Sequence, residues 1–100
     1  MWILRNSDPD AETWKFRLGA GAIKTVGRAP RADFVLDAAL VSRVHCRLTA
    51  TDDHVEVVDL SSTNGTFVND RRVKKASLAA GDRLRLGRVE LTVDRTAVKR

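Results

Sequence analysis

The chain has 100 residues, a net charge of +5, 43% hydrophobic and 31% charged residues. That length makes one small domain with a modest core, and that balance excludes a disordered chain. No apolar run approaches the ~20 residues of a membrane span, and the single cysteine, Cys46, excludes an internal disulfide.

In chain order, Trp2 to Arg5 reads as a short strand, too soon interrupted by charge to be a signal-peptide core. Asn6 to Ala11, with Ser7, Asp8, Pro9 and Asp10, reads as a turn. Trp14, Phe16 and Leu18 alternate with Thr13, Lys15 and Arg17, the period of a half-buried strand. Ile23 to Val26 forms another, ended by Gly27. Arg28 to Asp33 is a loop, Phe34 to Leu36 a short apolar strand, and Asp37 to Val44 a second loop in which Ala38 to Leu40 can hold a helical turn. Cys46, Leu48 and Ala50 alternate with His45, Arg47 and Thr49.

Beyond the Thr51–Asp53 turn, Val55 and Val57 alternate, but Val58 and Leu60 continue in the opposite phase, which predicts a bulge or strong twist. Leu60 to Asn69 is crowded with small hydrogen-bonding side chains around Asn64-Gly65, a strong turn signal. An ordinary hairpin does not need Ser61, Ser62, Thr63 and Asn69 as well. Val73 to Ala80 fits no single element. Leu84 and Leu86, then Val89, Leu91 and Val93, alternate on either side of Gly87-Arg88 as a closing hairpin or bulged pair. The whole reads as an all-β, antiparallel sandwich of about eight to eleven short strands. Residues 1–95 form the domain, and 96–100 a linker or tail.

Residues 21–50 carry five basic side chains (Lys24, Arg28, Arg31, Arg43, Arg47) against two acidic ones (Asp33, Asp37). Such an excess favours an anionic partner: nucleic acid, phospholipid or phosphoprotein. Three loops hold the chemistry for it. Gly27-Arg28 offers a guanidinium directly after a sharp turn. Ser42-Arg43-Val44-His45 adds a hydroxyl, a second guanidinium and an imidazole. Ser62-Thr63-Asn64-Gly65-Thr66 with Asn69 adds hydroxyls and amides.

In order and spacing, these three segments resemble the forkhead-associated (FHA) domain, a β-sandwich whose end loops bind phosphothreonine peptides. The resemblance runs from about Trp2 to Asp94 and includes the closing Gly81-Asp-Arg-Leu-Arg-Leu-Gly87. It implies that Arg28 binds the phosphate, with Ser42, Arg43 and Thr63 as further contacts and Asn64 on the peptide main chain. Gly27, His45, Gly65 and Asn69 become supports of the site. Leu40 and Arg31 become candidates for selecting neighbouring peptide residues, apolar and acidic respectively. Ser61 and Ser62 have no assigned role.

The function implied is regulated, phosphothreonine-dependent protein–protein interaction by a monomeric, non-catalytic module without cofactor, metal or membrane partner. The Met1-Trp2 start is similar to that of nibrin-type DNA-repair proteins, which adds a nuclear location and a role in the DNA-damage response; otherwise the default location is cytoplasmic or nuclear. Two alternatives differ in class. Direct nucleic-acid binding fits the charge, but Trp14, Phe16, Phe34 and Phe67 all fit core positions rather than base-stacking ones. A phosphate-independent surface on the same fold is less consistent with Arg28, Ser42 and Asn64 together. An enzyme is disfavoured: His45 and Cys46 are strand neighbours that face opposite ways, and no carboxylate pair or metal-binding cluster joins the three loops.

Overall fold

In the computed structural model, residues 1–6 and 14–96 are described. They contain strands and no helix: β1 (Trp2–Arg5), β2 (Lys15–Leu18), β3 (Ile23–Gly27), β4 (Phe34–Val35), β5 (Cys46–Ala50), β6 (Val55–Asp59), β7 (Thr66–Val68), β8 (Arg71–Val73), β9 (Lys75–Leu78), β10 (Arg83–Leu86) and β11 (Val89–Arg95). Most of the predicted turn between β1 and β2, and the tail after Thr96, lie outside the described residues. A six-stranded sheet in the order β2-β1-β11-β10-β7-β8 packs on a five-stranded sheet in the order β4-β3-β5-β6-β9. All pairs are antiparallel except β3 with β4.

Side-chain alternation builds the core between the sheets. Trp2 and Leu4 from β1, Phe16 and Leu18 from β2, Leu48 from β5, Val55 and Val57 from β6, Leu84 and Leu86 from β10, and Leu91 and Val93 from β11 are all buried. Their strand neighbours Arg5, Lys15, Arg17, Arg47 and Arg83 face solvent. Phe16 stacks on Phe34 with ring centroids 4.7 Å apart, closing the core beside β4.

Several sequence expectations change in the structure. The phase flip at Val58 is not a bulge, because β5 and β6 pair without a break from Cys46↔Asp59 to Ala50↔Val55. Val58 is simply a half-buried valine on the outer face, opposite Arg47 and Lys75. Phe67 also leaves the core. It lies between buried Thr66 and Val68, so its ring faces outward, where the Arg85 guanidinium covers it at 4.1 Å. The Ala38–Leu40 stretch is no helical turn but a tight turn closed by the Val41 N–H on the Ala38 carbonyl at 3.3 Å. Leu40 there has φ 70°.

Asn64-Gly65 is no hairpin either. Only Gly65 has positive φ, at 89°, and the loop carries the chain from the five-stranded sheet to the six-stranded one. The ambiguous Val73 to Ala80 stretch resolves into β8 and β9, which belong to opposite sheets and meet at Lys74. The true two-residue hairpins are Asn69-Asp70, with φ 50° and 70°, and Gly87-Arg88, with Gly87 at φ 61°. Both conform to the primed turns that match strand twist.

Strand direction sorts the loops. β3, β6 and β10 run toward one end, which carries residues 28–33, 36–45, 60–65 and the hairpin at Gly87-Arg88. The turns at 19–22, 51–54, 69–70 and 79–82 lie at the other.

Leu48 is fully buried in the middle strand of the five-stranded sheet. Truncating it to alanine removes apolar burial and leaves a cavity, so L48A should lose about 2–5 kcal/mol of stability, read from the midpoint of chemical denaturation.

Candidate functional site

The loop end holds an open cleft of about 720 Å³. Its walls include Arg28, Leu40, Ser42, Arg43, Thr63 and Asn64, and its only carboxylate among the described residues is Asp37. Five of the residues singled out as peptide or phosphate contacts are thus brought together with Leu40. Arg31 sits exposed in the turn closed by the Ala32 N–H on the Ala29 carbonyl, outside the cleft lining.

Backbone lacing holds Arg28 to the second loop. Its N–H donates to the Ser42 carbonyl at 2.9 Å, and the next N–H, of Ala29, to the Arg43 carbonyl at 3.0 Å. Gly27 is what allows this approach: a Cβ there would stand 2.1 Å from the Arg43 carbonyl oxygen and 2.8 Å from the Val44 Cα. Neither neighbour is a flexible side chain, so the two loops would have to part. The Arg28 side chain is aimed by its Nε, which donates to the Val41 carbonyl at 3.1 Å. Its terminal nitrogens have no partner among the described residues, which leaves the two-pronged end of the guanidinium for an external anion.

His45 joins the second loop to the third. It is fully buried. Its Nδ1 accepts the Ser42 N–H at 3.0 Å, and its Nε2 lies 2.8 Å from the Gly65 carbonyl. A backbone N–H can only donate, so Nδ1 is the acceptor and Nε2 carries the proton given to Gly65. The His45 backbone is used as well: its N–H donates to Val26 and its carbonyl accepts from Leu60. The Ser42 hydroxyl oxygen accepts the Thr63 N–H at 3.0 Å, which leaves its own proton for an anion. The Asn64 amide donates to the Leu40 carbonyl at 3.1 Å, and its side-chain oxygen is without a partner among the described residues.

Asp59 anchors the third loop, a role the sequence reading missed. Its carboxylate accepts from the Ser62 hydroxyl at 2.5 Å, the Ser62 N–H at 3.2 Å and the Thr66 hydroxyl at 2.7 Å. The Ser62 oxygen in turn accepts the Gly65 N–H at 3.0 Å. This accounts for Ser62, previously without a role. Ser61, at φ 57°, turns the chain and lines the cleft. The signal was legible as Asp59-x-x-Ser62-x-x-x-Thr66, an acceptor followed by hydroxyls within local reach.

Asn69 braces turns, but not those of the cleft. Its side-chain oxygen accepts the Arg83 N–H at 2.9 Å and its amide donates to Asp82 at 3.1 Å, at the far end of the sandwich. Gly87 is the converse case. The sequence gives it no part in the site, yet a Cβ on it would be 2.8 Å from the Ala39 carbonyl oxygen and 3.1 Å from the Leu40 Cβ. The hairpin tip therefore seats the Leu40 turn. Cys46 is fully buried, and that burial pushes its thiol far up, reinforced by the Asp59 charge. No group of His, Cys, Asp and Glu among the described residues could hold a metal ion, and none of their helices could cross a membrane, since there is none.

A two-sheet sandwich that gathers a guanidinium, hydroxyls and an amide into one open, cationic cleft is a recognition module for anions. The FHA domain model matches residues 24–87, and the chain belongs to the FHA domain family, whose members are phosphothreonine-binding modules. The glycogen accumulation regulator GarA of Mycobacterium tuberculosis is 41% identical over 70 residues, which cover 70% of this chain and 43% of GarA. The FHA domain of CT664 from Chlamydia trachomatis superposes with a TM-score of 0.88 at 28% identity, over 96% of this chain and 98% of that one. Mycobacterium tuberculosis EmbR, solved with a low-affinity phosphopeptide, gives 0.79 at 28% identity over 99% of this chain and 25% of EmbR. The chain thus spans under half the length of the curated relatives it matches first. These relatives are bacterial, and they give no support to the nibrin-type parent, the nucleus or the DNA-damage response read from Met1-Trp2.

Two outcomes check this account of the loops. G27A should be markedly destabilised, by about 1–3 kcal/mol, and should weaken ligand binding, as measured by thermal unfolding and titration. For Asp59, burial alone would raise the carboxyl pKa, but the hydrogen bonds from Ser62 and Thr66 outweigh it and hold the group below its ordinary 3.8. A depressed folded value means stabilisation that is present above the ordinary pKa and lost as pH falls through the folded one. The stability difference between wild type and D59N should therefore be full near neutrality and shrink in acid below about pH 4. Denaturation midpoints across that range would reveal a flat difference if Asp59 had no such role.

Proposed function

We propose that this chain docks a threonine-phosphorylated segment of a partner protein in the loop-end cleft, as a non-catalytic, regulated binding module. Arg28 takes the phosphate with its terminal nitrogens, Ser42 donates its hydroxyl, and Arg43 and Thr63 supply further contacts. Asn64 holds the peptide main chain through its side-chain oxygen. The observation that carries this reading is the fixed guanidinium of Arg28, tied through Nε to Val41 with its two-pronged end unpaired among the described residues, on the wall it shares with Ser42.

The chemistry is proportionate. A phosphate brings roughly −1.5 to −2 charges and three strong acceptors. Each charge-assisted hydrogen bond contributes about 1.5–3 kcal/mol net. Two arginines and two hydroxyls make the phosphate the main source of affinity.

GarA is named a regulator of glycogen accumulation, and a Corynebacterium diphtheriae relative, 40% identical over 67 residues, an oxoglutarate dehydrogenase inhibitor. By that likeness the setting of this chain is regulatory signalling inside a bacterial cell. Residues 1–95 act as the binding unit and work as a monomer. Direct nucleic-acid binding gains no feature from the fold: Trp14, Phe16 and Phe34 pack in or against the core, and the Phe67 ring is occupied by Arg85.

Calorimetric titration with a phosphothreonine peptide and its unphosphorylated twin tests the proposal. Binding of the phosphopeptide alone is expected, and R28A should weaken it by about 2–3 kcal/mol, or 30- to 150-fold. Equal affinity for both peptides, or a loss below threefold in R28A, would sink it.

A further inference from the structure

The phosphate, on the reading above, engages Arg28 and Arg43. Another arginine stands next to the cleft and is spoken for by neither the phosphate nor the described residues of the protein. Arg88 is the second residue of the β10–β11 hairpin, exposed at the cleft end of the sandwich, with no ion pair or hydrogen bond among the described residues. Its position is fixed by its neighbour. Gly87, at φ 61°, lies so close to the Ala39 carbonyl and the Leu40 backbone and Cβ that no side chain fits between them. The hairpin tip and the Leu40 turn therefore form one surface. Leu40, 48% exposed and in the left-handed region at φ 70°, is held from the other side by Asn64 on its carbonyl.

We infer that Arg88 is a specificity-determining residue: it extends the cleft past Leu40 and selects peptides that carry an acidic side chain near the phosphothreonine. This rests on the phosphothreonine reading. Leu40 lines the cleft, so a peptide that crosses it meets the Gly87-Arg88 tip next. Leu40 supplies an apolar shelf there and Arg88 a cation at its rim. Among the described residues the one carboxylate of the cleft lining, Asp37, is outnumbered by Arg28 and Arg43 before Arg88 is added, so the field of these side chains favours a second negative charge on the ligand. A pairing of this exposed kind is modest in size and screened by salt.

The test uses alanine-based peptides with a central phosphothreonine and a single aspartate moved one position at a time along either side. Affinities for wild type, R88A and R28A are read by fluorescence anisotropy at low and moderate salt. Wild type should gain about two- to fivefold from aspartate at one position or two adjacent ones. R88A should lose that gain while binding the aspartate-free phosphopeptide as wild type does, and R88E should turn the gain into a penalty. If no aspartate position helps wild type, or if the gain survives in R88A, the role of Arg88 is overturned while phosphopeptide binding stands. If R28A binds every phosphopeptide as wild type does, the phosphate reading itself falls, and the role of Arg88 with it.

Discussion

The imidazole of His45 is the contact on which the site depends. The three loops of the cleft belong to segments far apart in the chain, and only fixed hydrogen bonds give them a common geometry. His45 takes the N–H of Ser42 on one ring nitrogen and gives its other N–H to Gly65. Its backbone meanwhile pairs with Val26, one residue before the Gly27-Arg28 loop, and with Leu60 at the mouth of the third. A buried polar group left without partners would be costly. Here every one is used, so the network that satisfies His45 also sets the positions of Ser42 and of the Thr63–Gly65 backbone.

Around that point, the rest of the site follows a division of labour. Groups that face the core or a neighbouring loop are consumed within the protein: the Asp59 carboxylate by Ser62 and Thr66, the Arg28 Nε by Val41, the Ser42 oxygen by Thr63. Groups that face the cleft keep free donors or acceptors. Preorganisation of this kind lowers the ordering cost on binding, because Arg28, Ser42 and Asn64, which line the cleft, are already held by their inner ends.

Much of this was legible in the sequence, because its signals are local. Period-2 alternation marked β2, β5, β10 and β11, and Gly, Pro, Asn and Asp clusters marked their ends. The residues of the three cleft loops could be named because they form contiguous motifs. What stayed hidden depends on which segments meet. Nothing local to Val58 or Phe67 distinguishes an outward-facing apolar side chain from a core one; the sheet pairing decides. Asn69 and Gly87 exchanged significance for the same reason. Each sits in a two-residue hairpin, but only the folded direction of β7 and β10 places one far from the cleft and the other against Leu40. Asp59 was passed over as a strand end, although its acceptor capacity explains the polar crowding that follows it.

The loop from Leu60 to Gly65 has a consequence of a mechanical kind. With Lys74 between β8 and β9, it is one of the links by which the chain passes between the two sheets at this end, while Arg28 and Ser42 hang from the five-stranded sheet alone. A ligand seated between Arg28, Ser42 and Asn64 therefore bolts the two layers together at their open end. Shear or breathing of one sheet over the other would be felt first in the cleft, and occupancy of the cleft would in turn damp that motion throughout the sandwich.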